Sequence, residues 1–208
     1  MVKQSQQLSE LHKNLWEMCC HFWGKMEAND YKDYVLGLLF YRYLSEKVET
    51  LTSTWLEDDN ISYQEAWEDD EYRELLKKEL LETTGYIIEP KYLFSTMYDM
   101  INISKSGFDI EYLQEAINSI MDSTLGQASN DAFAGIFEDM DLSSTKLGRT
   151  VASRSKLIEK AITSINSIDF KYEDATIDVL GDAYEYLIGQ FASSAGKKSG
   201  SFYTPAKV

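Results

Sequence analysis

The chain has 208 residues, with 35 acidic against 20 basic side chains and a net charge of −15. Affinity for DNA rests mainly on lysine and arginine meeting phosphates, so this balance excludes a strong DNA binder acting alone. Hydrophobic residues at 44% are enough for a core, and two prolines with 11 glycines punctuate too rarely for a many-turned β fold, so the chain reads as all-α.

The first helix is expected over about residues 5–27, where Leu8, Leu11, Leu15 and Met18 recur at helical spacing. Cys19 and Cys20 lie within it. Neighbours on a helix point about 100° apart and offer no metal-ligand spacing, so both read as reduced thiols, partly buried. Asn29-Asp30 is expected to break this helix and cap the next. From Tyr34 to Leu44 only Gly37 and Arg42 are not apolar or aromatic, which marks a helix at the centre of a bundle. Arg42 there needs a partner, expected from an acidic neighbouring helix.

Ser62-Tyr-Gln-Glu65 has capping-box spacing and predicts a helix to about Glu82, stopped by Thr83-Thr84-Gly85. The acidic run Glu68–Glu71 reads as a solvated helix face. Tyr86-Ile87-Ile88 is a short apolar piece, extended and ended by Pro90. Further helices are expected over Lys91–Asn102, from an Asp109 cap to Asp122, over Ala132–Phe137, over Thr150–Ile168 and from Glu173 to Ala192. Asp139–Ser144 reads as a loop, and Ser193–Gly200 as a flexible linker. The sum is a helical bundle of about six to eight helices over residues 1–192, followed by residues 193–208 leading elsewhere.

Charge is unevenly spread. Residues 142–158 hold Lys146, Arg149, Arg154 and Lys156 with no acid, and residues 190–208 hold three lysines with no acid. Either stretch could face phosphate, although solvated surface is the default for the first. The phosphate-loop pattern fails, because Gly189 and Gly196 are separated by six residues and Lys198 follows Lys197. His12 and His21 have no partner at metal spacing, so no metal site is expected. The tyrosines read as core and helix–helix contacts. There is no apolar run of about 18 residues and no signal peptide. No membrane association is expected, and a cytoplasmic location is.

The tail carries the most specific signal. Gly181-Asp-Ala-Tyr-Glu-Tyr-Leu-Ile188 precedes Gly196-Lys-Lys-Ser-Gly200 and then Phe202-Tyr-Thr-Pro205. In this order and spacing they resemble the modification subunit of type I restriction–modification systems, an adenine-specific DNA methyltransferase. Tyr31-Lys-Asp-Tyr-Val-Leu-Gly-Leu-Leu-Phe-Tyr-Arg-Tyr-Leu-Ser45 resembles that family's early helix. Phe137-Glu-Asp-Met-Asp-Leu-Ser-Ser-Thr-Lys-Leu-Gly-Arg-Thr150 resembles its middle signature.

The resemblance implies that Ser201, Phe202, Tyr203, Thr204 and Pro205 line one wall of an S-adenosyl-L-methionine site. It also implies partners: a sequence-specificity subunit, a second modification subunit, a restriction subunit and double-stranded DNA, which the helical domain helps clamp. The family's Asn-Pro-Pro-aromatic tetrapeptide is absent, since the only prolines are Pro90 and Pro205, and no Gly-x-Gly occurs. No catalytic residue is therefore assigned. The chain is expected to be the N-terminal part of a longer subunit, inactive alone, with an α/β methyltransferase domain beyond Val208. The alternative from composition is a non-enzymatic acidic helical module that binds other proteins.

Overall fold

The structure is a computed structural model that describes residues 28–127 and 130–167 continuously, together with 9, 12–17, 19, 20, 22, 26, 181 and 185–189. The protein is all-α, and the described residues contain no strand. Seven α-helices have defined bounds among them. They are α1 (Ala28–Trp55), α2 (Tyr63–Glu68), α3 (Asp70–Thr84), α4 (Phe94–Asp99), α5 (Ile110–Ser123), α6 (Asn130–Phe137) and α7 (Val151–Ile165). A 3₁₀ turn at Pro90–Tyr92 precedes α4, and a π turn at Met100–Ser104 extends it.

α1 is the axis of the bundle. Its 28 residues span about 42 Å at 1.5 Å per residue. Tyr34, Val35, Leu38, Leu39, Tyr41, Leu44 and Val48 are all buried, and α2, α4, α6 and α7 pack around it. The helix starts at Ala28, so Asn29 and Asp30 fall in its first turn and do not cap it, which corrects the expectation. α5 and α7 complete the core with Leu113, Ile117, Ile120, Leu157, Ile158 and Ile162. A small satellite cluster of Leu56, Ala66 and Leu76 joins the end of α1 to α2 and α3.

The capping motifs set most helix starts. Ser62 and Glu65 form the reciprocal box that opens α2, Asp109 accepts from Tyr112 N at α5, and Thr150 with Ser153 opens α7. The helix expected from Ser62 to Glu82 is instead two. Asp69 is extended (φ −84°, ψ 127°), and its side chain accepts from the amides of Glu71 and Tyr72. A side chain that satisfies the next helix's free donors replaces the continuous ladder. The run Glu68–Glu71 is exposed as expected, but it is a junction. Gly85 closes α3 in the left-handed region (φ 78°), its amide bonded to Leu81 O.

Between Gly85 and Phe94 the backbone lies across α1 without a ladder of its own, and side chains satisfy its polar groups. The Tyr41 hydroxyl donates to Tyr92 O, Tyr63 to Ile88 O at 2.8 Å, and Tyr112 to Lys91 O. Ser45 Oγ accepts from Phe94 N at 2.7 Å, and Ser123 Oγ accepts from Ile87 N at 2.9 Å. Tyr86, buried within the segment, donates to Leu44 O of α1 at 3.1 Å. Buried backbone without such partners would be strongly destabilising, so the tyrosines here tie down main chain as well as fill the core.

Arg42 is held from several sides. Among the described residues Glu46 of its own helix is a carboxylate partner at 3.5 Å. Arg42 also donates to Asn166 Oδ1 at 2.9 Å and Ile165 O at 3.3 Å, and stacks 5.3 Å from the Phe94 ring centre. The end of α7 presents unsatisfied carbonyls and the negative pole of its dipole, which suits a cation. A helix terminus thus contributes to holding Arg42 alongside the carboxylate.

Candidate functional site

Ser201, Phe202, Tyr203, Thr204 and Pro205 lie outside the described residues, as does the linker at 193–200. The structure does describe part of the approach to them. Residues 185–189 are helical, and Leu187 is fully buried in the main core. The neighbouring Tyr186 ring stacks on His12, with centres 4.0 Å apart and planes 7° from parallel. Burial, then nearby Cys19, raises the Tyr186 phenol above its ordinary pKa. The stretch just before the linker is therefore seated on the first helical segment of the chain.

The cysteines behave as their angular offset requires. Cys19 is buried in the core and Cys20 is exposed. Burial first, then Cys20, pushes the Cys19 thiol up to about 12, so it is a poor nucleophile. Among the described residues, no three His, Cys, Asp or Glu side chains gather into a possible metal site, and no helix is long and apolar enough to cross a membrane.

Two open grooves mark the described surface. One, of about 660 Å³, lies where α1 gives way to α2 and is lined by polar groups including Glu49, Thr52, Asn60 and Ser62. The other, of about 420 Å³, lies between α5 and the turn after α6, beside Asn118, Met121, Met140 and Asp141. That turn is pinned to α1. Tyr34 donates to Asp141 O at 2.7 Å, and Met140 packs where Gly37 leaves room. Among the described residues, neither groove is lined by a histidine, cysteine, lysine or arginine.

The basic stretch is laid out along one element. Lys146 and Arg149 are exposed in the loop entering α7, and Lys156 is exposed on its outer side. Lys160 is exposed one turn further on. The sequence reading missed Lys160 because Glu159 closed the acid-free window at Ile158. Helical spacing is the signal that would have found it.

Residues 11–165 match the HsdM N-terminal domain, and residues 175–208 match N-6 DNA Methylase. The chain belongs to the HsdM family. This HsdM chain is 34% identical to the type I restriction enzyme MpnII methylase subunit of Mycoplasma pneumoniae over 99% of its own length and 39% of that protein. It is 26% identical to the MjaIX methylase subunit of Methanocaldococcus jannaschii over 96% of its length and 34% of that protein. The crystal structure of a type I restriction-modification system methyltransferase subunit from Streptococcus thermophilus superposes with a TM-score of 0.79. That match is 33% identical and covers 95% of this chain and 41% of the other. The HsdM chain thus spans between about a third and two fifths of the length of these relatives, and its helical bundle corresponds to the HsdM N-terminal domain.

Proposed function

We propose that this chain is the N-terminal region of a subunit that, at full length, transfers a methyl group from S-adenosyl-L-methionine to the N6 amine of adenine in duplex DNA. The observation that carries the reading is the order of the two family matches. A helical HsdM N-terminal domain is followed directly by a stretch of N-6 DNA Methylase that contains Phe202-Tyr-Thr-Pro205. The same match disfavours a purely non-enzymatic acidic module.

In this reading Ser201–Pro205 form one wall of the cofactor site. Pro205 fixes a backbone angle, and the Thr204 hydroxyl and nearby amides can bond the cofactor's carboxylate. An aromatic ring of Phe202 or Tyr203 covers an apolar face. Residues 193–200 serve as the hinge between helical and catalytic domains. The subunit works in the cytoplasm with a specificity subunit, a second copy of itself and a restriction subunit, and the helical domain helps hold the DNA.

The test is methyl transfer by the full-length subunit assembled with its specificity subunit, using labelled cofactor and unmethylated duplex. N6-methyladenine is the expected product; another methylated base refutes the adenine assignment. Thr204→Ala should weaken cofactor binding by about one hydrogen bond, roughly 0.5–1.5 kcal/mol, without moving the helical domain's melting temperature. Lower stability with unchanged cofactor affinity would make the tail structural.

A further inference from the structure

We propose that the outer face of α7 and the loop entering it form a docking surface for the phosphate backbone of duplex DNA, with Arg149, Lys156 and Lys160 as its contacts. The proposal rests on the reading of the chain as part of a DNA-modifying subunit. It adds the face of the fold that carries the contact and the residues that make it.

Charge placement is the first argument. Residues 142–167 contain five basic side chains and one acid, in a chain whose net charge is −15. Elsewhere most described basic side chains are ion-paired, with Lys47 and Lys105 as isolated exceptions on other elements. Lys13, Lys32, Arg42, Arg73, Lys77, Lys78 and Lys91 each sit within 4.0 Å of a carboxylate. Among the described residues Arg149, Lys156 and Lys160 have no such carboxylate, although acids outnumber bases. Glu159, the single acid of α7, is half-buried and within 4.0 Å of none of them. Asp141, at the loop's far edge, is exposed, and its carboxylate is engaged by the amide and hydroxyl of Ser143.

Geometry is the second. The inner face of α7 is committed to the core through Leu157, Ile158, Ala161, Ile162 and Ile165. Lys156 and Lys160 are therefore held one turn apart, about 6 Å along the axis, on the opposite side. From Arg149 to Lys160 the element runs roughly 16 Å. Duplex DNA offers about one negative charge per 1.7 Å of axis, so phosphates are available to every cation on the face. Apolar side chains are sparse there, with Val151 the one large exposed hydrophobic of α7, which fits a polyanion better than a protein core. Such contacts position DNA without reading its sequence. The surrounding acid limits the affinity of the chain alone and confines the duplex to this face.

The test measures anisotropy of a labelled 30-base-pair duplex with the 208-residue chain from 25 to 200 mM NaCl. It compares the triple variant Arg149→Gln, Lys156→Gln, Lys160→Gln with a control triple, Lys13→Gln, Lys47→Gln, Lys78→Gln, that removes the same charge elsewhere. The wild type should bind weakly at low salt. The first triple should lose at least tenfold in affinity, with a logarithmic salt slope shallower by roughly 3, near 0.9 per contact. The control should lose under threefold. Equal losses in both triples, no loss in the first, or no wild-type binding at 25 mM NaCl overturns the surface. So does a first triple that binds DNA normally but no longer captures the specificity subunit, since the face would then receive an acidic protein. Circular dichroism melting checks that both triples fold. No methyl donor is involved, so an assembly that fails to methylate adenine sinks the proposed function without touching this comparison.

Discussion

Tyr41→Phe tests how the fold satisfies buried backbone that has no ladder. Tyr41 is fully buried, and its hydroxyl donates to the Tyr92 carbonyl 51 residues away. The substitution keeps the ring, and with it the packing against Phe137. It removes one donor and leaves a buried carbonyl unpaired. The expected cost is about 1–3 kcal/mol, the desolvation penalty of an orphaned group. For a chain of this size that is a melting-temperature drop of roughly 2–12 °C. Tyr112→Phe is the comparison, because its bond to Lys91 O is exposed and water can replace it. Its cost should stay below about 0.5 kcal/mol. Urea titration read by tryptophan fluorescence gives both values, with the slope unchanged if only the native state is affected. A negligible cost for Tyr41→Phe, or equal costs for the two, would refute the argument that hydroxyls hold this segment.

Three other outcomes follow from packing and charge. Arg42→Ala should cost about 1–3 kcal/mol in the same titration, because it removes the ion pair to Glu46 and the donors to Asn166 and Ile165 at the end of α7. Gly148→Ala should destabilise by more than about 1 kcal/mol, since Gly148 has φ +155° and a Cβ there would sit 2.2 Å from the Ser153 hydroxyl of the capping box; a neutral result would show that the loop relaxes freely. Cys20 should react with a maleimide at pH 8 in the native state and Cys19 only on unfolding. Burial raises Cys19 to about 12 and also raises Tyr41, Tyr63 and Tyr86. Raised values in the folded state mean full stability below the unfolded values, near 9 for the thiol and about 10 for the phenols. That stability is lost as pH climbs through the folded ones. Melting temperature should therefore be flat from pH 7 to about 8.5 and fall above it; a flat profile to pH 11 would contradict the burial.

Much of the bundle is legible in the sequence because its signals are local. Ser62 with Glu65, Asp109 and Thr150 each satisfy helix amides within three residues, and the apolar run from Tyr34 to Leu44 can only be central. What fails is non-local or finely balanced. Asp69 breaks a helix that propensity alone would carry through. Nothing near Arg42 in sequence reveals that the end of α7, over 120 residues away, receives it. Five of the tyrosines look like core from composition, and only the folded chain shows where their hydroxyls point. The segment proposed for the cofactor, Ser201–Pro205, falls within the stretch at 175–208 that matches N-6 DNA Methylase. Its geometry lies outside the described residues. Lys160 was missed because a sliding charge window takes no account of helical phase.

The segment between Gly85 and Phe94 has a kinetic consequence. Its amides and carbonyls are held by side chains from α1, α5 and the start of α2, all distant in sequence. Each of those bonds needs one of the three helices to have docked against the segment. Closure of such long loops comes late in folding. A stretch that looks irregular on paper would then have amides protected by tertiary bonds, with Phe94, held by Ser45 inside α1, exchanging more slowly than Ile87, held by Ser123 at the end of α5. Hydrogen exchange at Ile87 and Phe94 would accordingly report the docking of α5 and α1 on this segment separately.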